Sequence, residues 1–280
     1  TRAKQMLQPN WLNILLECKN QTEKQITPLL KTLKQPQPNL GIGAGGDPIK
    51  QIDLTAENAI INTLKLHKIS FTLISEESGI KEYGETPHKH YVTTDPIDGT
   101  TNLTRGIPFC ATSIAVSTKP SLNAIHAVLV TDLHHNITYT AQKGKDAWRN
   151  NQVITPSRNN SLEEAVIGMD LNTDKVRKIV PQLTSLIQET KHIRHLGANA
   201  LEMCYVADGT TDAFIDIRWK LRATDVAAAW LIIREASAKI TSPDGKQISI
   251  NLDPKQKIAF VAAANREIHK IILNMMKLER

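Results

Sequence analysis

Aromatic residues are scarce in this chain of 280 residues, with four each of Trp, Tyr and Phe. Aromatic stacking is the usual platform for single-stranded nucleic acid, so nucleic acid is not the expected partner. Cysteine is scarcer still. Cys18, Cys110 and Cys204 are odd in number and stand in unrelated contexts, which spells neither a disulfide framework nor a zinc site and points to a reducing cytosol. No apolar run approaches bilayer length, so no membrane association is expected. No basic-then-apolar signal segment follows Thr1, and a cytoplasmic chain with a trimmed N-terminus is the expectation. No stripe of one charge exists either. The net charge of +6 is spread along the sequence, and a small anionic substrate accounts for it as well as a polynucleotide would. Repeats, low-complexity tracts and linkers are missing, so one domain spanning 1–280 is expected, built from two packed halves of about 1–160 and 161–280.

What is present centres on Asp95-Pro96-Ile97-Asp98-Gly99-Thr100-Thr101-Asn102. It follows a short apolar approach, His90-Tyr91-Val92-Thr93-Thr94, that reads as a strand ending in a tight turn. Pro96 fixes φ, and Asp98-Gly99 is a strong turn signal. Such a turn can aim Asp95, Asp98 and the Ile97 carbonyl at one point, and hard cations such as Mg²⁺ take oxygen ligands. Upstream, the apolar run Ile69 to Ile74 delivers Glu76 and Glu77 at another strand end. Downstream, Asp225 stands in Leu221-Arg222-Ala223-Thr224-Asp225-Val226-Ala227-Ala228-Ala229, where an apolar helix begins.

Together these three pieces resemble the inositol monophosphatase superfamily of Mg²⁺-dependent, lithium-sensitive phosphatases, which carry an acidic pair, then Asp-Pro-Ile-Asp-Gly-Thr-x-Asn, then a distant Asp-Val-Ala-Ala. The resemblance runs over nearly the whole chain. It implies an α/β (α+β) fold, a layered αβαβα sandwich of the inositol monophosphatase/fructose-1,6-bisphosphatase type, and a homodimer.

Taken in order, Gln5 to Leu33 has apolar residues at helical spacing, read as one helix or two broken near Thr27-Pro28 and stopped by Gln35-Pro36-Gln37-Pro38. Gly41-Ile42-Gly43-Ala44-Gly45-Gly46-Asp47 lacks the preceding strand of a dinucleotide fingerprint, so a mobile loop near the site is expected. Asp47 and Asp53 keep the acidic positions that the resembled family has after this loop, with Lys50 where Thr is usual. Asp53 reads either as catalytic or as the N-cap of a helix Leu54 to His67. Leu103 to Phe109 reads as a connection, followed by antiparallel strands Ala111 to Ser117, Ala124 to Thr131 and Asn136 to Ala141. His134-His135 beside Asp132 reads as a surface turn, since neighbouring strand residues face opposite ways. The second half is expected to run from strand Ala165 to Met169, through helix Thr173 to Gln188, to strand His192 to Leu196. A helix entered at Gly197-Ala198-Asn199 and strand Thr211 to Ile217 follow. The last elements are helix Val226 to Ala236, strand Ile258 to Ala262 and a terminal helix Arg266 to Leu278.

The resemblance also implies roles. Glu76, Asp95 and the Ile97 carbonyl would hold one Mg²⁺, and Asp95, Asp98 and Asp225 a second. A third, weaker ion would sit near Glu76, Mn²⁺ could substitute, and Li⁺ would inhibit. Thr100 with Asp53, aided by Glu76, would activate water, while the N–H groups of Gly99 and Thr100 cradle phosphate. Gly197, Ala198, Asn199 and Asp216 would meet the substrate. Arg194, Arg218 and Arg222 form a cationic set like that of archaeal members acting on fructose 1,6-bisphosphate, and arginine forks suit phosphate oxygens. A phosphorylated sugar or polyol is therefore the expected substrate. A 3′-phosphoadenosine or dinucleotide phosphatase is the alternative, as is a regulatory binding protein of the same fold.

Overall fold

The computed structural model describes residues 9–33 and 38–278. The predicted helix start at Gln5 and the Gln35-Pro36-Gln37 stop lie outside them. Helix α1 (Trp11–Leu30) buries Trp11, Ile14, Leu15, Cys18 and Ile26, the three-and-four spacing of one helical face. It runs unbroken through Pro28. The proline falls in the last turn, where the lost N–H costs a single bond before the helix ends. Helix α2 (Gln51–Leu66) starts earlier than predicted, so Asp53 sits inside its first turn and Lys50 takes the cap position.

The first sheet contains β1 (Phe71–Ser75), β2 (Gly79–Tyr83) and β3 (Tyr91–Asp98). Helix α3 (Thr100–Arg105) comes next, occupying the start of the predicted connection. The sheet continues with β4 (Ala111–Ser117), β5 (Ile125–Asp132), β6 (Ile137–Gln142), β7 (Ala147–Arg149) and β8 (Gln152–Val153), in the order β2-β1-β3-β4-β5-β6-β7-β8.

The second half gives β9 (Val166–Met169), α4 (Val176–Ile179), α5 (Thr184–Glu189), β10 (His192–Arg194) and α6 (Asn199–Ala207). After these come β11 (Ala213–Arg222), α7 (Ala223–Glu235), β12 (Lys239–Thr241), β13 (Lys257–Ala263) and α8 (Arg266–Leu278). The single helix expected over Thr173 to Gln188 is instead α4, a 3₁₀ turn and α5, because Pro181 has no N–H to continue an α-helix. Strand β11 runs on to Arg222 beyond its predicted end, with a bulge between Asp216 and Leu221. The second sheet is ordered β10-β9-β11-β13-β12.

Strand alternation builds the layers. On β5, Ala127 and Leu129 face α1 and α2 with Trp11 and Leu64, while Val128 and Val130 face α6 and α7 with Leu201 and Ala228. On β13, Phe260 and Ala262 join that same middle layer, whereas Val261 and Ala263 pack against Ile268 and Ile272 of α8. The stack is thus helices, sheet, helices, sheet, helices, the expected αβαβα sandwich. Among the described residues, no helix is long and apolar enough to cross a membrane.

Candidate active site

Strands β1 and β3 are parallel neighbours, with Ser75 opposite Thr94. Their C-terminal ends therefore finish side by side, which brings Glu76 next to Asp95. Pairing of β3 with β4 is interrupted between Asp95 and Asp98, as Pro96 has no N–H for the ladder, and Thr112 Oγ1 donates instead to the Pro96 carbonyl at 2.8 Å. From the other half, α7 packs against β3 and carries Asp225 in its first turn. These ends open on a cavity of about 600 Å³.

Glu76, Asp95 and Asp225 each place an oxygen within 4.8 Å of the others. Asp95 is pushed well above the usual carboxylate range by burial, then by Glu76 and Asp98, and Glu76 likewise by burial and then Asp225. Asp95 Oδ1 and Glu76 Oε2 are buried without a hydrogen-bond donor. Arg222 Nη2 does lie 2.7 Å from Glu76 Oε2, but its N–H is not aligned on that oxygen, so the contact is Coulombic. Crowded, buried, mutually repelling oxygens with unused lone pairs suit a hard divalent cation, and the residues fit a metal.

The other expected ligands border this cluster. The Ile97 carbonyl lines the cavity and accepts from Thr100 Oγ1 at 2.8 Å. Asp98 lines it too, but its Oδ1 and Oδ2 accept from the N–H groups of Asn199 and Ala200 at 3.1 and 2.7 Å. It caps α6 from across the cavity, and burial still lifts it to about 7. Thr100 Oγ1 lies 3.3 Å from Asp53 Oδ1, and Asp53 is raised by burial to about 6. Glu77 is raised to about 8, by burial and then Asp53. At Gly99, φ is +85°, and a Cβ would lie 3.0 Å from Ala198 Cβ and 3.1 Å from the Gly197 carbonyl. Only glycine fits that turn against the α6 loop. Asn102 closes the same seam, donating to the Phe109 and Leu196 carbonyls at 2.8 and 2.7 Å.

Of the expected substrate contacts, Arg218 and Arg222 line the cavity but are already paired, while Arg194, Ala198 and Asp216 do not line it. Arg194 is exposed and donates to its neighbour's carbonyl, outside the main cavity. Ala198 is buried behind Gly99 rather than in the cavity wall. Asp216 is fully buried and paired with Arg218. Arg218 borders the cavity, yet its Nε and Nη2 hold Asp216 and its Nη1 reaches Asp170 at 2.7 Å and the Asn172 carbonyl at 3.1 Å. Its fork is spent on buried carboxylates, not held open for phosphate. Arg222 turns to the carboxylate cluster and the glycine-rich segment. Gly197 and Asn199 do line the cavity.

Sequence reading missed Asp170, Asn172, Lys220 and Lys257, which all line the cavity. Asp170 had a usable signal, an acid directly after a strand. Lys257 had none, since it is carried in by pairing of β13 with β11. Glu202 was also missed. It holds the N–H groups of Leu196 and Gly197 at 3.4 and 3.1 Å and is raised to about 8 by burial.

The Arg218 geometry changes the expected phenotype of Arg218→Ala. Removing the guanidinium leaves Asp170 with only His195 and the Asn172 N–H, and Asp216 with only the backbone N–H of residue 218, although their side chains are 9% and 0% exposed; breaking such a buried pair costs about 3–5 kcal/mol. Chemical denaturation should report that loss, and turnover of mono- and bisphosphate substrates should fall together. A variant as stable as the parent, with selective loss on the bisphosphate, would restore Arg218 as a phosphate ligand.

The chain matches the inositol monophosphatase family over residues 12–277. It is 34% identical to the fructose-1,6-bisphosphatase/inositol-1-monophosphatase of Methanothermobacter thermautotrophicus, over 95% of this chain and 96% of that protein. It is 31% identical to a bifunctional NADP phosphatase/NAD kinase of Methanococcus maripaludis, over 94% of this chain and 49% of the relative. Among solved structures, an inositol monophosphatase-fructose 1,6-bisphosphatase superposes with a TM-score of 0.84 at 30% identity, covering 95% of this chain and 100% of the other.

Proposed function

The chain belongs to the inositol monophosphatase family, and we propose that this phosphatase uses Mg²⁺ to hydrolyse a small phosphorylated sugar or polyol, fructose 1,6-bisphosphate or inositol 1-phosphate. The observation that carries the reading is the convergence of Glu76, Asp95 and Asp225, with Asp95 Oδ1 left without a donor. These three would hold the divalent ions, with the Ile97 carbonyl and Asp98 at the border. When bound, such ions neutralise phosphate charge, lower the pKa of a coordinated water and steady the departing oxygen.

The chain's own residues supply the rest. Thr100 Oγ1 has one proton and two acceptors, the Ile97 carbonyl at 2.8 Å and Asp53 Oδ1 at 3.3 Å. A water that gives its proton to Thr100 Oγ1 can pass the hydroxyl proton on to Asp53. A value raised to about 6 suits Asp53 to receive it, because a general base works best with a pKa near the operating pH.

Lys220 and Lys257 line the same cavity, and their ammonium groups rest on backbone carbonyls of Asn172 and Lys220 at 3.4 and 3.0 Å. Among the described residues neither pairs with a carboxylate, so both charges are free for a second phosphate. That favours fructose 1,6-bisphosphate, with the lysines taking the part the arginines were expected to play. A cytosolic setting accords with Cys18, Cys110 and Cys204 all being buried thiols, and the homodimer implied by the resemblance belongs to the same proposal.

The test is phosphate release from fructose 1,6-bisphosphate, inositol 1-phosphate, NADP and 3′-phosphoadenosine 5′-phosphate, with Mg²⁺ and with EDTA. Chelation should lower release by about 10³-fold or more, given the several kcal/mol that metal ions supply. Turnover led by a nucleotide would move the substrate assignment, and metal-independent turnover would end the mechanism.

A further inference from the structure

Arg222 is the cation that the carboxylate cluster already holds. Its Nη1 lies 2.9 Å from both the Gly45 carbonyl and Asp47 Oδ2. Its Nη2 is 2.7 Å from Glu76 Oε2, and its Nε is 3.4 Å from Asp225 Oδ1. Its own backbone N–H donates to Asp225 Oδ2 at 2.8 Å, which fixes the root of the side chain on the same acid that its head approaches. Guanidinium stays protonated at any working pH, so this is a permanent positive charge. With so many donors engaged, it is poorly placed to clamp a substrate phosphate.

The glycine-rich segment is shaped around that side chain. A Cβ on Gly45 would lie 2.3 Å from Arg222 Nη1 and 3.0 Å from its Cζ, and one on Gly43 would lie 3.0 Å from the Glu76 carbonyl. The segment's backbone is laced to the β1–β2 turn, with the N–H groups of Ala44 and Gly45 donating to the carbonyls of Glu77 and Glu76 at 3.0 and 2.7 Å. The guanidinium does not satisfy every oxygen of the cluster. The oxygens of Glu76, Asp95 and Asp225 stay within 4.8 Å of one another, and Asp95 Oδ1 still has no partner.

We propose that Arg222 is a resident positioning residue that takes, beside Glu76, the charge role expected of the third and weakest ion, while tying Gly45 and Asp47 to the carboxylates. The inference rests on the metal-dependent phosphatase reading, and it leaves the Glu76, Asp95 and Asp225 cluster to the exchangeable ions. The glycine-rich segment is then a strap held by a side chain from the other half of the chain, and it stays docked without metal.

The experiment counts Mn²⁺ bound per chain by equilibrium dialysis with electron paramagnetic resonance, and follows proteolysis within 41–47 in the metal-free protein. The parent should take up about two Mn²⁺, as two-metal sites do. Arg222→Met should gain a further weak equivalent and be cut about tenfold faster in the segment, as local opening becomes easier. Arg222→Lys keeps the charge without the fork, so its count should match the parent while cleavage accelerates. Gly45→Ala should also accelerate cleavage, which keeps the strap testable should Arg222→Met fail to fold. About three Mn²⁺ on the parent, or an unchanged count and unchanged cleavage in Arg222→Met, would overturn the inference while sparing the phosphatase reading. No Mn²⁺ bound by the parent at all would overturn both.

Discussion

Asp95→Asn should lower Mg²⁺-dependent phosphate release by about 10³-fold or more while raising the thermal midpoint of the metal-free protein. The two effects share one cause. Asp95 is 4% exposed, has an oxygen with no donor, and is surrounded by Glu76, Asp98 and Asp225. Without an ion, that carboxyl is either charged among like charges that Arg222 only partly offsets, or protonated with a buried oxygen left unpaired, and both are costly. Asparagine keeps the shape and removes the charge, so the apo protein should gain about 1–3 kcal/mol. The ion that needs the carboxylate then loses its ligand. Asp98→Asn makes the opposite prediction for stability, because both oxygens of Asp98 accept backbone N–H groups at the start of α6. An amide would turn a donor toward one of them and lower the midpoint. Calorimetry in EDTA and phosphate assays at saturating Mg²⁺ decide the pair. Residual activity above a tenth of the parent in Asp95→Asn, or a lowered apo midpoint, would sink the assignment of Asp95 as a ligand.

The contrast between Asp95 and Asp98 shows what a linear reading can reach. Both aspartates read alike, as acids at the mouth of one strand, and the layered fold followed from the same stretch with its two distant companions. Their difference lies in α6, whose N-terminus arrives from about a hundred positions downstream. The arginines show a related gap. Arg218 and Arg222 carry the right charge for phosphate, but what neutralises them, Asp170 for one and Glu76 with the glycine-rich segment for the other, is fixed by sheet pairing and by the bulge in β11. Composition registers a cation; only packing shows whether it is already used. Pro28 and Pro181 make the same point for helices. One falls in a last turn and is tolerated, while the other breaks its segment into a 3₁₀ turn.

Metal and pH should act on stability through one set of groups. In the metal-free protein Asp53 is raised to about 6, Asp98 to about 7, and Glu77 and Glu202 to about 8, with burial the main cause in each. Glu76 and Asp95 move the same way. A carboxyl whose folded pKa lies above its unfolded value near 4 binds protons more tightly when folded. Its contribution is therefore complete below about pH 4, falls as pH rises from there, and is gone once pH has passed the folded values of about 6 to 8. On the acid side His90 opposes this, since burial lowers it to about 4, and so do His126 and His269, also lowered chiefly by burial. Those histidines must charge on unfolding, and their contribution fades as pH drops below about 6.5. The six raised carboxyls outnumber the three lowered histidines, so the metal-free midpoint should be highest at about pH 4–5 and decline toward about pH 8.5. Saturating Mg²⁺ replaces protons at the cluster, so its benefit should grow with pH. At about a hundred times Kd it is worth about 2.7 kcal/mol, which corresponds to about 5–10 °C at pH 8.5 for a chain of this size and little at pH 5. Thermal scans across that range, with EDTA and with Mg²⁺, read this directly. Asp95→Asn should flatten the alkaline decline and abolish most of the Mg²⁺ shift together. An alkaline decline that persists unchanged in Asp95→Asn would place the proton-linked strain outside the cation site.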